Sequence, residues 1–331
     1  MQPSVRAGLR ERGFLAGHTH PAHLQGKVIA LEEHFWIPEL SVGGNYPAEW
    51  ARRLLDLNTL RLEEMDAAGI DIQVISHGPS KLQNLDAASA TDLARRANDI
   101  LQQAVLAHPD RFSAFALLPT PDPQAAANEL ERCVTKNGFK GAMIHGTTHG
   151  EFIDRKRFWP IFERAEALDV PIYIHPGATH PAVAEAYYTD YPAMASAGWG
   201  FNVETATHAI RLILSGVLDQ YPKLRIIIGH MGEGLPFSLW RCDALLTRDS
   251  DLKKRFREYF RENFFITTSG NFSVPALLCS IMEVGADKIL FSIDWPYADN
   301  VEGKTFLDNA PISADDRCKI LSSNAATLLR L

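Results

Sequence analysis

Eight short apolar runs recur along the chain, and most neighbouring pairs enclose a stretch whose apolar residues return at helical spacing. The runs cover residues 28–31, 72–76, 112–117, 141–144, 171–175, 225–229, 264–268 and 289–293. They are continuous rather than alternating, which predicts strands covered on both faces, as in a parallel sheet. Between them the period lengthens. Residues 60–68 predict a helix closed by Gly69, and Leu93, Ala97, Ile100, Leu101 and Ala104 lay an apolar stripe along a helix over 91–108. Further helices are expected over 123–136, 158–168, 201–215, 235–246 and 274–284, with a helical C-terminus at 313–329. Residues 35–46, with Pro38, Gly43 and Gly44, read as a loop facing a substrate, and 177–200 as a long irregular lid or binding loop. Eight strand-helix units without a linker predict an α/β fold: one closed parallel barrel over 26–331, in preference to two doubly wound domains. Residues 1–25 carry Arg6, Arg10 and Arg12 but no apolar core of a secretion signal, and read as an arm outside the fold.

Composition narrows the function. With 331 residues, 46% of them hydrophobic, the chain can bury a large core. A net charge of -7 leaves no basic footprint for phosphates, which argues against nucleic acid or an anionic membrane as partner. No apolar run approaches the roughly 20 residues that span a bilayer. Cys133, Cys242, Cys279 and Cys318 lie far apart, without metal or redox spacing, as expected of reduced thiols in the cytoplasm.

In a parallel barrel the chemistry sits at the carboxyl ends of the strands. The first strand runs into KVIALEEH, where Glu32 and His34, two apart, share a face and Glu33 points the other way. The fifth ends in His175 of YIHPG, the sixth in His230 of IIIGHMGEG and the eighth in Asp294 of FSIDWP. The second and fourth run into His77 and His145. Singly, each could be a satisfied core residue or a cap. Together, Glu32, His34, His175 and Asp294 point to one divalent ion, with His230 and Glu233 close by. His18 and His20 form a His-x-His pair, but no strand precedes them, so they read as surface histidines. Thr267 to Asn271 follow the seventh strand and face the site. Arg241, seven residues after Gly234, is either a two-pronged clamp for an acidic substrate or half of a surface ion pair with Asp243 or Glu258.

The motifs ALEEHF, RRAND, HPDRF, YIHPG, GHMGEGLP, ITTSGNF and ILFSIDWPY, in this order from about residue 27 to the end, resemble the decarboxylase branch of the amidohydrolase superfamily. That branch includes the gamma-resorcylate, 2,3-dihydroxybenzoate and 5-carboxyvanillate decarboxylases. The resemblance implies a distorted (β/α)8 TIM barrel, a homodimer or homotetramer, and one divalent ion, zinc or manganese ahead of magnesium, with no organic cofactor. It matches Glu32, His34, His175 and Asp294 to the metal ligands, and His230 and Glu233 to the strand-six polar pair. Arg241 matches an arginine that recognises the substrate carboxylate, in some members across a subunit boundary. The implied reaction is decarboxylation of an ortho-hydroxybenzoate, reversible at high bicarbonate, with Asp294 as the candidate proton donor and His230 and Glu233 positioning it or the phenolic oxygen.

Three departures stand out. His145 replaces a frequent asparagine and lines the substrate pocket, the HPGAT start after strand five leans toward the 5-carboxyvanillate type, and residues 1–25 have no counterpart. A hydrolase or hydratase of the same superfamily, acting on a lactone or unsaturated dicarboxylate, is the enzymatic alternative. A non-catalytic barrel with an empty ion site is the other. By the resemblance, a carboxylate at Glu32 stands where hydrolytic relatives usually carry histidine, which favours decarboxylation.

Overall fold

The computed structural model describes residues 26–41 and 47–331. The N-terminal arm, with His18 and His20, lies outside the described residues. All eight expected strands form, in two parallel ladders. Strands β1 (Ile29–Phe35), β2 (Ile72–His77) and β3 (Phe112–Ala114) make the first. The second runs in order through β4 (Ala116–Leu117), β5 (Ala142–His145), β6 (Ile172–His175), β7 (Ile226–Ile228), β8 (Phe264–Thr267) and β9 (Ile289–Leu290).

The expected third strand is therefore split. Phe115 N donates back to Ile75 O at 2.9 Å, whereas Ala116 N donates forward to Gly141 O at 2.9 Å, so the run changes partner at Phe115. At the opposite seam β1 meets the end of β9 through a bridge between Leu31 and Ser292 and through His34 N to Trp295 O at 2.8 Å. A register shift between Ala30 and Glu33 breaks the β1–β2 pairing. These interruptions make the (β/α)8 barrel a distorted one.

Inside the barrel, Ile29, Leu31, Val74, Phe115, Met143, Tyr173, Ile227 and Leu290 pack together, and Leu328 and Leu329 of the C-terminal helix close the cluster. The outer faces of the strands meet the helices through residues such as Ile75, Leu101, Phe162, Leu212 and Leu239. Each such side chain contributes roughly 1.5–3 kcal/mol by leaving water. Local signals fix the helix ends. Asp86 accepts from Ser89 N at the start of Ala87–Ala107, Asp122 accepts from Gln124 N and Ala125 N ahead of Pro123, and Gly69 closes Thr59–Ala68 at φ 72°.

Five helices depart from the sequence expectation. Pro181–Tyr188 lies within the stretch read as irregular, and Ala48–Leu55, the single turn Val217–Gln220, Phe256–Asn263 and Asn300–Asn309 are additional to it. Only Leu54 of Ala48–Leu55 is buried, so little apolar periodicity announces that helix. Phe256, Tyr259 and Phe260 do bury at helical spacing, but charged residues crowd between them. Among the described residues no helix is long and apolar enough to cross a membrane. All four cysteines are free.

Candidate metal centre and active site

Five residues at the site depart from ordinary backbone geometry. Glu32, His230, Met231, Glu233 and Asp294 all have positive φ, between 51° and 73°, and account for most of such non-glycine residues among those described. Each costs energy that the surrounding fold has to hold in place, and such strain concentrates where side chains must be aimed. The β1 register shift turns Glu32 inward with His34, while Glu33 faces away, as the two-residue period predicts.

Glu32, His34, His175 and Asp294 converge, with one ligand atom from each lying within 4.8 Å of the others. His34 Nε2 stands 3.2 Å from Asp294 Oδ1, and His175 Nε2 stands 3.1 Å from Glu32 Oε1. These four atoms are buried and make no hydrogen bond. Unpartnered buried polar atoms are costly and rare, and four of them facing one point fit a divalent cation held by two imidazoles and two carboxylates. The second nitrogen of each imidazole is occupied: His34 Nδ1 pairs with Ser76 Oγ at 3.2 Å, and His175 Nδ1 with Pro176 O at 2.8 Å. Such outer partners fix the ring and the tautomer of a ligating histidine.

His230 completes the rim. Its Nδ1 pairs with Glu233 Oε1 at 2.7 Å, and its Nε2 lies 3.6 Å from both Glu32 Oε1 and Asp294 Oδ2. Burial disfavours charge on the imidazole, but Glu233 and Glu32 outweigh it and raise its pKa well above the ordinary histidine range. Glu233 is raised as well, by burial that His230 only partly offsets, so the pair retains a proton. Burial likewise pushes Glu32 and Asp294 upward, and the surrounding histidines more than reverse this: both lie below the usual carboxylate range. For His34 burial dominates and lowers its pKa.

The other sequence-derived residues fall into distinct places. His145 is buried with its ring 4.9 Å from that of His175, and both its nitrogens lack partners. Burial lowers its pKa well below the histidine range, so it stands neutral beside the site. His77 is satisfied by the backbone, accepting from Ile37 N at 3.2 Å and pairing with Gly78 O at 2.7 Å. Arg241 is exposed on the helix Leu235–Leu246. The surface ion pair considered for it is absent, because Asp243 and Glu258 are taken by Arg255 and its backbone amide.

Two supports become visible only in the fold. Arg61 is buried beneath β1, donating to His34 O, to Gln73 Oε1 at 3.1 Å and to Asp56 O at 3.0 Å, with its guanidinium 4.1 Å from the Trp295 ring centroid. Beside it Glu33 accepts from Ile293 N at 3.0 Å and Trp295 N at 3.3 Å, the residues flanking Asp294. Tyr173 points into the site from β6, and its position two residues before His175 was the available signal. A cleft of about 560 Å³, lined by Gly270, Asn271, Phe272, Tyr297 and Glu302 among others, opens next to Asp294.

The amidohydrolase family model matches residues 16–331, and the chain belongs to that family. The match begins inside the segment set apart as an arm. Among its relatives is the gamma-resorcylate decarboxylase of Rhizobium sp. (strain MTP-10005), 43% identical over 326 residues, covering 93% of this chain and 99% of that protein. A crystal structure of 2,6-dihydroxybenzoate decarboxylase in complex with 2,6-dihydroxybenzoate superposes with a TM-score of 0.87 at 42% identity, over 92% of this chain and 99% of the other. The dihydroxybenzoic acid decarboxylase of Polaromonas sp. JS666, solved with bound manganese and the inhibitor 2-nitroresorcinol, gives 0.88 at 42% identity, over 92% and 97% of the two chains.

Proposed function

We propose that this protein is a metal-dependent, non-oxidative decarboxylase that converts a hydroxylated benzoate into the phenol and carbon dioxide. The observation that carries the reading is the set of four orphaned donor atoms beside an open cleft, with a carboxylate from Glu32 among them. Glu32, His34, His175 and Asp294 would hold the ion, which is manganese in the Polaromonas enzyme. Bound there, the ion supplies a Lewis acid for the carboxylate and ortho-oxygen of the substrate.

The chain's own residues supply the proton. Asp294 directs Oδ1 toward His34 and leaves Oδ2 facing His230, so a proton held by the His230–Glu233 pair has a 3.6 Å path to Oδ2. From Oδ2 it passes to the ring carbon that bears the carboxylate, after which the carbon–carbon bond breaks and its electrons restore the aromatic ring. Neutral His145, with two free nitrogens, would contact a ring substituent. Arg241 would act from a neighbouring copy in a homodimer or homotetramer. Its exposed helix also presents Phe237 and Trp240, and the adjacent helix presents Met282, an apolar face suited to association. The free cysteines support a cytoplasmic location.

The test is carbon dioxide release, measured with manganese-loaded protein and a panel containing 2,6-dihydroxybenzoate, 2,3-dihydroxybenzoate, salicylate and 5-carboxyvanillate. Turnover of an ortho-hydroxybenzoate is expected. No release from any of them, with hydration or hydrolysis of a lactone or unsaturated dicarboxylate instead, would replace this reading by the hydrolytic one.

A further inference from the structure

Glu32 is fully buried, yet its two oxygens live in different surroundings. Oε1 has no hydrogen-bond partner and faces His175 Nε2. Oε2 accepts from the hydroxyl of Tyr173 and lies 3.3 Å from Thr267 Oγ1. A Cβ added at Gly229 would stand 2.8 Å from Oε2, so the carboxylate lies in space that only a glycine leaves open.

Behind Oε2 the contacts continue in one line. Tyr173 OH lies 2.9 Å from Thr267 Oγ1, Thr267 Oγ1 lies 2.9 Å from Ser269 Oγ, and Ser269 Oγ accepts from His230 N at 3.0 Å. A hydroxyl donates one proton and accepts others, a backbone amide only donates, and an ionised carboxylate only accepts. With an amide at one end and a carboxylate at the other, one proton order satisfies every member of the row: His230 N to Ser269, Ser269 to Thr267, Thr267 to Tyr173, Tyr173 to Glu32 Oε2. Aligned donors of this kind strengthen one another in a water-free interior.

We propose that Tyr173 is a positioning residue which, with Thr267 and Ser269 behind it, restricts Glu32 to a one-oxygen metal ligand through Oε1. This rests on the reading of Glu32, His34, His175 and Asp294 as ion ligands. Tyr173 touches no reacting atom; it acts by occupying Oε2. Because the row begins at the amide of His230, it also ties the residue that holds the proton to the carboxylate that holds the ion.

The experiment uses the full chain, stripped with chelator and titrated with Mn²⁺, read by calorimetry and by the electron paramagnetic resonance spectrum of the bound ion. Wild type is expected to bind one Mn²⁺. Tyr173→Phe, which keeps the ring and removes one oxygen, is expected to bind about 10- to 100-fold more weakly, in the range typical of lost outer partners, and with an altered spectrum as Oε2 becomes free to bind. Thr267→Val, which removes the longer contact and the donor to Tyr173, is expected to shift affinity in the same direction by less. The melting temperature of the metal-free Tyr173→Phe protein serves as the folding check and is expected to stay near that of wild type. Tyr173→Phe with wild-type affinity and an unchanged spectrum overturns the assignment while leaving the ligand set standing. A wild-type protein that binds no Mn²⁺ overturns both.

Discussion

The buried Arg61 and Glu33 offer a demanding test of how the site is supported. Arg61→Met keeps length and apolar stem while removing the guanidinium and its bonds to His34 O, Gln73 Oε1 and Asp56 O. Glu33 would then remain buried with only Ile293 N, Trp295 N and Gln73 Nε2 around it. No direct bond joins Arg61 and Glu33, so the cost comes from leaving His34 O, Asp56 O and Gln73 Oε1 without that donor and Glu33 without a nearby opposite charge, together on the order of 3–5 kcal/mol. For a chain of this size that corresponds to a fall of roughly 4–8 °C in melting temperature. The sign of the pH dependence follows as well. Burial pushes the Glu33 pKa well above the ordinary carboxylate value, and Arg61 is among the groups pulling it back. A carboxyl raised in the folded state favours folding while protonated, so that stability is lost as pH rises from the unfolded value through the folded one. Without Arg61 that loss extends further upward, and the deficit of Arg61→Met should be larger at pH 8 than at pH 5. Thermal unfolding of metal-free wild type, Arg61→Met, Glu33→Gln and the double variant completes the measurement. The double variant should be less damaged than the sum of the singles by about 1–3 kcal/mol. Strict additivity, or a deficit that does not change with pH, would refute the coupling.

Other outcomes follow from the site. Asp294→Asn should lower kcat by at least about 100-fold, as loss of a positioned proton donor does, in protein that still contains its metal by elemental analysis; wild-type turnover would remove Asp294 from the proton path. Chelation should lower the melting temperature and added Mn²⁺ restore it, since an ion at about 100 times its dissociation constant adds about 2.7 kcal/mol. Glu204, whose pKa burial raises to about 7 and whose Oε1 has no partner, should disfavour folding once ionised. Glu204→Gln should therefore melt above wild type at pH 8 but not at pH 4, and a gap independent of pH would contradict the cause given. If Arg241 acts across a subunit boundary, unfolding and reassembling Arg241→Ala with Asp294→Asn should recover about a quarter of wild-type activity in a dimer, and no recovery would return Arg241 to a surface role.

Much of the site was legible because barrel strands place function at their ends. Glu32, His34, His175 and Asp294 each terminate an apolar run, and a single periodicity argument brings them to one rim. The supports were harder to see. Arg61 lies on a helix among other charged residues, and only the folded chain shows it under His34 O rather than in solvent. The split at Phe115 was invisible because a continuous apolar run carries no mark of which neighbour each amide will choose. Among the helices, Phe256–Asn263 had a readable spacing of Phe256, Tyr259 and Phe260 that its charge density obscured. Arg241 shows the limit of a single chain: its helix was foreseen, but local pattern does not say what a second copy would bring to it.

The two ladders give the ligand set a mechanical meaning. Glu32 and His34 belong to the three-stranded ladder, whereas His175 belongs to the six-stranded one and Asp294 follows its last strand. Backbone pairing across that junction is sparse, with one bridge at Leu31 and the amide of His34. An ion bound by all four residues is therefore a clasp between two separately hydrogen-bonded sheets. Loading it should slow amide exchange along β1 and residues 291–295 far more than in β5 and β7, so that occupancy of the site sets how often the barrel parts at its weakest edge.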